Sequence, residues 1–372
     1  MARRQSAPVA FYMRRTKIFT GLKCWPTEKE RWLVGFVRAT IDPASYEERF
    51  QKYAARAEAF EAVSSDGDAD VVALPFVWDY YLKQKQTGTA QALARLAQAA
   101  GKRIIVWNGG DLEALVPIPN AIQFNHGPFR SLSRIPKKVF AFPQFKSDWL
   151  ETYCGGELRP RTWCLRPSVG FCGWASGNRA KLAIRKCLTA FHLARYHLGC
   201  SNYVPPPLRS PLLLRQGILN LLRQEVRIRT NFMNRNQYRG GLRAGSTDET
   251  FSPTRLEFVN NILENDYTVC VRGVGNFSAR FYETLCLGRI PIFVNTDCIL
   301  PYDFTVNWRD YCVWVEAADV HRLPEILLEF HQGLSPDSFL DLQKDCRRIW
   351  LDRLSSNGFY THFHEHLAGR ED

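Results

Sequence analysis

The 372-residue chain contains no run of about 18 apolar residues, so a membrane-spanning helix is not expected. Its opening, "MARRQSAPVAFYMRRTKIFTG", has the arginines of a secretory signal but lacks the apolar centre, because Arg14 and Arg15 cut off "APVAFYM". Residence in the cytosol is the expectation. No CxxC pair occurs among the eleven cysteines, and their number is odd, which argues against a simple disulfide framework. Cys172, Cys187, Cys270, Cys286 and Cys312 sit among apolar neighbours and read as buried, reduced thiols. No repeat of fixed period and no low-complexity tract stands out.

Acid is the other scarcity, and it is local. Residues 159–243 hold sixteen Lys and Arg against a single acid, Glu225, for a net of +15. The first forty residues hold nine bases and two acids. The net charge of the whole chain is +12, so everything else is acidic on balance. A field concentrated in this way attracts phosphate groups, anionic lipid or nucleic acid.

What is present is alternation. Apolar runs at 70–76, 103–108, 121–125 and 138–143 read as buried strands, with an amphipathic helix at 89–102 ended by Gly101. "CGGELRPRTWCLRPS" at 154–168 breaks the pattern with Gly and Pro and serves as a linker. The pattern then restarts, with strands at 169–174, 226–232, 267–271, 290–295 and 312–316. Helices are expected at 178–196, 212–224, 253–264, 277–287, 319–333 and 335–354, the last capped by Ser335 with Pro336 behind it. Strands alternating with helices imply parallel sheets covered on both faces. The fold class is α/β, as two Rossmann-like domains facing a cleft: residues 1–165, residues 166–350, and 351–372 as a terminal helix packing back on the first. A cleft between such sheets is where a ligand belongs.

The chemistry concentrates in "CVRGVGNFSARFYETLCLGRIPIFVN", residues 270–295. A strand passes through a turn into a helix that Gly288 can end. Gly273 and Gly275 allow close approach of a bulky ligand or a positive φ. The helix start offers free N–H groups, with Asn276 or Ser278 as cap. Arg272 on the turn and Arg280 in the first helical turn supply two guanidinium forks suited to a diphosphate. Glu283 follows Arg280 by three residues, shares its face, and can accept hydrogen bonds from ribose hydroxyls or simply pair with Arg280.

Over about sixty residues (269–327) the chain resembles the C-terminal half of exostosin-like glycosyltransferases. The shared features are an Arg-Gly turn, a Ser-x-Arg-x-Tyr-Glu helix start, "LGRIPI", then "LPY…W" ahead of a strand and an "LPEIL" helix. The resemblance implies a GT-B architecture, with residues 1–165 on the acceptor side and 166–350 binding the nucleotide sugar, and inverting sugar transfer that needs no metal on an Asp-x-Asp motif. On it, Arg272, Ser278 and Arg280 face the diphosphate and Glu283 the ribose. No cofactor is implied; a nucleoside-diphosphate sugar is co-substrate, and a glycan or lipid-linked molecule is the acceptor. "DGDAD" at 66–70 lies in the other half and reads as a polar loop.

Charge builds on the leaving phosphate during transfer, and arginines and helix amides can stabilise it. Arg235 and Arg239 are possible helpers. A general base should come from the first half, where His126, Asp111 and Asp79 each follow a strand, ranked in that order. "HFHEH" at 362–366 puts His362 and His366 four apart on a helix, but no third ligand is evident and no metal is expected. The basic face can lie against anionic membrane on its inner side; no specific nucleic acid is implied. The alternatives are a fucosyltransferase-like enzyme of similar architecture, an NAD-type oxidoreductase with Asp297 as its ribose acid, and a non-enzymatic basic binding protein.

Overall fold

Runs rich in Val, Ile and aromatic residues form the central strands, buried on both faces, as parallel sheets require. The computed structural model describes residues 15–22, 27–41, 59–131, 138–175, 179–205, 210–235 and 251–368. Arg239 lies outside them. The first sheet has six parallel strands in the order β2-β1-β3-β4-β5-β6. They are β1 (Thr16–Phe19), β2 (Phe60–Ala62), β3 (Val71–Ala73), β4 (Ile104–Trp107), β5 (Ala121–Asn125) and β6 (Val139–Ala141). The second has five, also parallel, in the order β11-β10-β9-β7-β8. These are β7 (Ser168–Trp174), β8 (Arg229–Arg235), β9 (Tyr267–Cys270), β10 (Ile290–Asn295) and β11 (Val313–Glu316). Each sheet encloses its own hydrophobic core, so the architecture is two α/β lobes, as expected for a GT-B arrangement.

Counted within itself, each sheet runs 2-1-3 before continuing outward. The strand order therefore reverses between β1 and β3 in one lobe and between β7 and β9 in the other. The helices that follow successive strands leave toward opposite faces at that point, which opens a crevice at the carboxyl ends of the two strands.

Strand β8 starts later than the apolar pattern suggests. Glu225 takes a turn instead, accepting from the Ile228 amide (3.1 Å) and pairing with Arg227. The helix Pro336–Ile349 begins as its cap predicts, with Ser335 Oγ accepting from the Ser338 amide at 3.1 Å. It ends at Ile349 in a π turn, Trp350–Leu354, rather than running on to 354. Two short helices follow, Ser356–Thr361 and His364–Ala368; Phe359 and Tyr360 of the first and Phe363 of the turn between them enter the core of the first lobe. Tyr302 Oη locks this return by donating to the Phe359 carbonyl at 2.6 Å.

The break between those helices separates the two histidines expected on one face. His362 bonds Asp352 and Glu365, both at 3.0 Å, while His366 is buried among Phe124, Tyr302, Phe359 and Phe363. No group of three or more metal-ligating side chains is assembled among the described residues. The thiols at 172, 270, 286, 298, 312 and 346 are buried, but Cys187 is exposed, contrary to its apolar sequence neighbours.

Burial pushes the His366 imidazole down to about 3, against an ordinary value near 6.5. The unfolded chain therefore takes up this proton first as pH falls. Its contribution to stability is fully present above about pH 6.5 and declines toward the folded value, so His366→Phe should make the fall of melting temperature below pH 6.5 shallower.

Candidate functional site

Strands β7 and β9 pair only at Val169↔Tyr267 and Gly170↔Thr268, although β7 stays on β8 as far as Trp174↔Arg235. Beyond Gly170 the two strands separate, and carbonyls facing the gap need donors from elsewhere. Two arginines supply them. Arg280 donates through Nη2 to the Cys172 carbonyl (2.7 Å) and through Nη1 to that of Val269 (3.3 Å). Arg215 donates to the carbonyls of Trp174 (3.1 Å) and Arg272 (2.7 Å). The Arg280 guanidinium lies over the rings of Phe171 and Phe258, 4.3 and 5.2 Å from their centres. Its Nε has no hydrogen-bond partner among the described residues, and burial lowers its pKa. A guanidinium titrates so high that this one stays charged at neutral pH.

Above this bridge is a cavity of about 560 Å³, within the range of small-molecule sites. Its floor and one wall come from the second lobe: Gly173 and Trp174 at the end of β7, Gly273 and Val274 after β9, and Ser278, Arg280 and Glu283 at the start of the helix Ala279–Cys286. Ser278 is the N-cap residue, but its hydroxyl makes no cap bond, and the free end of the helix adds partial positive charge. Glu283 lies nearly one turn on, 7% exposed and on the cavity wall. Arg235 is on the rim, already paired with Glu257 at 2.8 Å. The first lobe closes the other side with Asp111 after β4 and Gln144 and Lys146 after β6. An anion placed here meets one buried guanidinium from below and a helix N-terminus from the side.

Most of the remaining sequence candidates stand elsewhere. Arg272 is buried behind the wall, not on it; its Nη1 donates to the Gly273 carbonyl at 3.3 Å, and desolvation lowers its pKa to about 10. Gly273 and Gly275 both line the cavity, but neither has a positive φ. Gly275 is needed for close approach to the protein itself: a Cβ there would collide with the Asp111 carbonyl oxygen of the facing lobe. Gly127 does the same against the Asn276 backbone. These contacts form a seam that continues through Ile299 N–H to the Pro128 carbonyl (3.1 Å) and Arg130 N–H to the Asp297 carbonyl (2.9 Å).

His126 belongs to that seam. Its ring lies between Phe142 and Phe277, 3.9 and 5.2 Å away, and does not line the cavity. Loss of solvation lowers its pKa to about 4. Asp79 is held in place by the Gly109 amide (3.1 Å) and the Tyr203 hydroxyl (3.0 Å). Asp297 accepts from the Ser131 amide at 2.9 Å, across the seam, so it does not offer a ribose acid beside the cavity. Of the acids and histidine considered as base, Asp111 is the one on the cavity wall.

Lys146, Gln144 and Arg215 were not legible as site residues. Arg215 occupies a half-buried position in the amphipathic helix Pro211–Gln224, where an arginine reads as surface. Lys146 and Gln144 follow the end of β6, where no local pattern marks them.

Comparison with known proteins points to the same lobe. Residues 215–330 match the family model described as the Exostosin GT47 domain. A probable glycosyltransferase of Arabidopsis thaliana is 23% identical over 99 residues, 27% of this chain and 18% of that protein. The Exostosin-1 homolog of Caenorhabditis elegans is 26% identical over 96 residues, 26% of this chain and 24% of that one. A probable glucuronosyltransferase of Oryza sativa subsp. japonica is 32% identical over 82 residues, covering 22% and 18%. The chain thus resembles exostosin-like glycosyltransferases, and it spans about a fifth of the length of the curated relatives it matches. The N-terminal domain of Candida albicans trehalose-6-phosphate phosphatase aligns over 98% of each chain at 11% identity, but its TM-score of 0.32 is too low to bear on the fold.

Removing the Arg280 side chain should cost stability even without ligand. Two charge-assisted bonds to strand carbonyls are lost, and Arg280→Ala should lower unfolding free energy by roughly 2–4 kcal/mol in denaturant melts. Gly275→Ala should push the lobes apart at Asp111 and widen the particle in small-angle scattering, with both cores still folded.

Proposed function

We propose that this protein is a glycosyltransferase that takes a sugar from a nucleoside-diphosphate sugar and passes it to a glycan or lipid-linked acceptor. The observation carrying this reading is the cavity at the β7/β9 reversal, whose floor holds the charged Arg280 bound to main-chain carbonyls instead of a carboxylate. The resemblance of the same lobe to the exostosin domain supports it.

In this reading the diphosphate sits at the free end of the helix Ala279–Cys286, against Ser278 and above Arg280. Glu283 receives ribose hydroxyls, and Arg235 borders the outer phosphate. The acceptor enters from the Asp111 side. The acceptor oxygen attacks the anomeric carbon from the face opposite the leaving diphosphate, which inverts the centre. Asp111 takes the acceptor's proton, and Lys146 stands on the same wall as a further cation. Negative charge builds on the departing phosphate, where fixed donors lower the barrier because they need not reorganise. That assigns to arginine and amide donors the work a divalent cation performs elsewhere.

The two lobes divide the work, since the second holds the leaving group and the first brings the base. His126 has its ring in the seam and acts on this geometry as packing, not as proton acceptor.

Calorimetric titration with a panel of nucleoside diphosphates and their sugars tests the donor site. One of them should bind and raise the melting temperature by mass action. Glu283→Gln should weaken it by roughly 1–3 kcal/mol, the range for a buried hydrogen-bond partner, while the unliganded protein melts as before. No binding by any member of the panel to folded protein sinks the proposal. With an active donor and acceptor pair, Asp111→Asn should lower kcat by about 10²-fold or more with little change in KM, and His126→Asn should not.

A further inference from the structure

The helix Arg179–His197 carries a stripe of large apolar residues on the side away from the protein. Thr189, Leu193 and Tyr196 are the more covered positions, and Tyr196 packs with Phe129 and Val204. Ile184, Leu188 and Phe191 recur at helical spacing on the opposite side and are 61%, 52% and 58% exposed. Leu198, 77% exposed, continues the stripe, since its amide still bonds the Ala194 carbonyl at 3.0 Å. A soluble surface helix normally turns such a stripe inward.

The charge on the helix has one sign. It holds five Lys and Arg (Arg179, Lys181, Arg185, Lys186 and Arg195) and no acid, and no Asp or Glu occurs in the chain from Leu158 through Gln224. Lys186 and Arg195 are exposed on this helix. An apolar stripe on a helix whose charges are all basic matches an anionic bilayer surface, where the stripe enters the acyl boundary and the bases meet phosphate and carboxylate headgroups. A second copy of the chain fits less well, because a two-fold contact through this face would bring two cationic surfaces together. Nucleic acid would neutralise the bases yet leave the stripe in water. No helix among the described residues is long and apolar enough to cross a membrane, so this one would lie in the interface plane.

We propose that the helix Arg179–His197 is a peripheral membrane anchor specific for anionic lipid, seated through Ile184, Leu188, Phe191 and Leu198. The cavity between the lobes is not needed for this inference, which stands or falls independently of sugar transfer.

Co-sedimentation of the full chain with vesicles tests it. Vesicles of equal parts phosphatidylcholine and phosphatidylserine should pull the protein down, vesicles of phosphatidylcholine alone should do so weakly, and salt should oppose the binding. Leu188→Glu with Phe191→Glu should reduce partition roughly tenfold or more, because each change removes an apolar side chain from the acyl boundary. Lys186→Glu should reduce it several-fold on the anionic vesicles alone. These side chains are solvated, so circular dichroism melts and nucleotide titrations of the variants should match the parent. Failure to bind anionic vesicles overturns the proposal, as does binding indifferent to the double substitution. So does a parent dimer in sedimentation velocity that the same substitution dissolves, which would make the stripe a self-association face.

Discussion

The cavity exists because β7 and β9 separate after two paired positions and are then held apart by guanidinium groups. Diverging strands expose carbonyls that water or side chains must satisfy. Here Arg280 and Arg215 satisfy them from opposite helices, one after each strand. The same groups that complete the sheet's hydrogen bonding leave positive charge at the bottom of a crevice. A carboxylate in that place would have given equal stability to the charge and removed its use, since the pair would present no net attraction to an anion. The structural role and the electrostatic role of Arg280 are therefore one arrangement.

The seam between lobes is the second constraint. Gly275 and Gly127 let backbone meet backbone, and Asp297, Pro128 and Arg130 stitch the contact on one side of the crevice. Phe277 presses on His126 across the same line. The lobes are further joined from behind by the chain's end, where Phe359, Tyr360 and Phe363 enter the first core after leaving the second. A cleft pinned in this way holds its two walls at a set distance, which a reaction with one group on each wall requires.

Much of the scaffold could be read without coordinates. Strands β5 and β10 occupy the residues their apolar runs marked, and Ser335 caps its helix as the Ser-Pro start implied. Local patterns of this sort are carried by a few neighbours, so they survive in the linear chain. The π turn at Trp350–Leu354 and the late start of β8 were not legible, because each reflects packing or a turn that overrides an uninterrupted pattern. At the site, Ser278, Arg280 and Glu283 announced themselves by spacing around the strand-to-helix turn. Arg272 shared that spacing yet does not line the cavity, and Gly275 lines it while also serving the lobe contact, which spacing alone cannot distinguish from ligand contact.

The linear chain by itself determined the α/β alternation, the strand-turn-helix element near residue 275, and the strongly basic region, since each depends on residue type and short-range order. Tertiary structure alone decided which candidates meet. Asp111, Lys146 and Arg215 reach one cavity from separate segments because the strand order reverses between β7 and β9 and the lobes face each other there. Only the packed form, too, shows Leu188 and Phe191 turned to solvent. Helical periodicity says that apolar residues share a side, but whether that side meets the core depends on what else has already covered it.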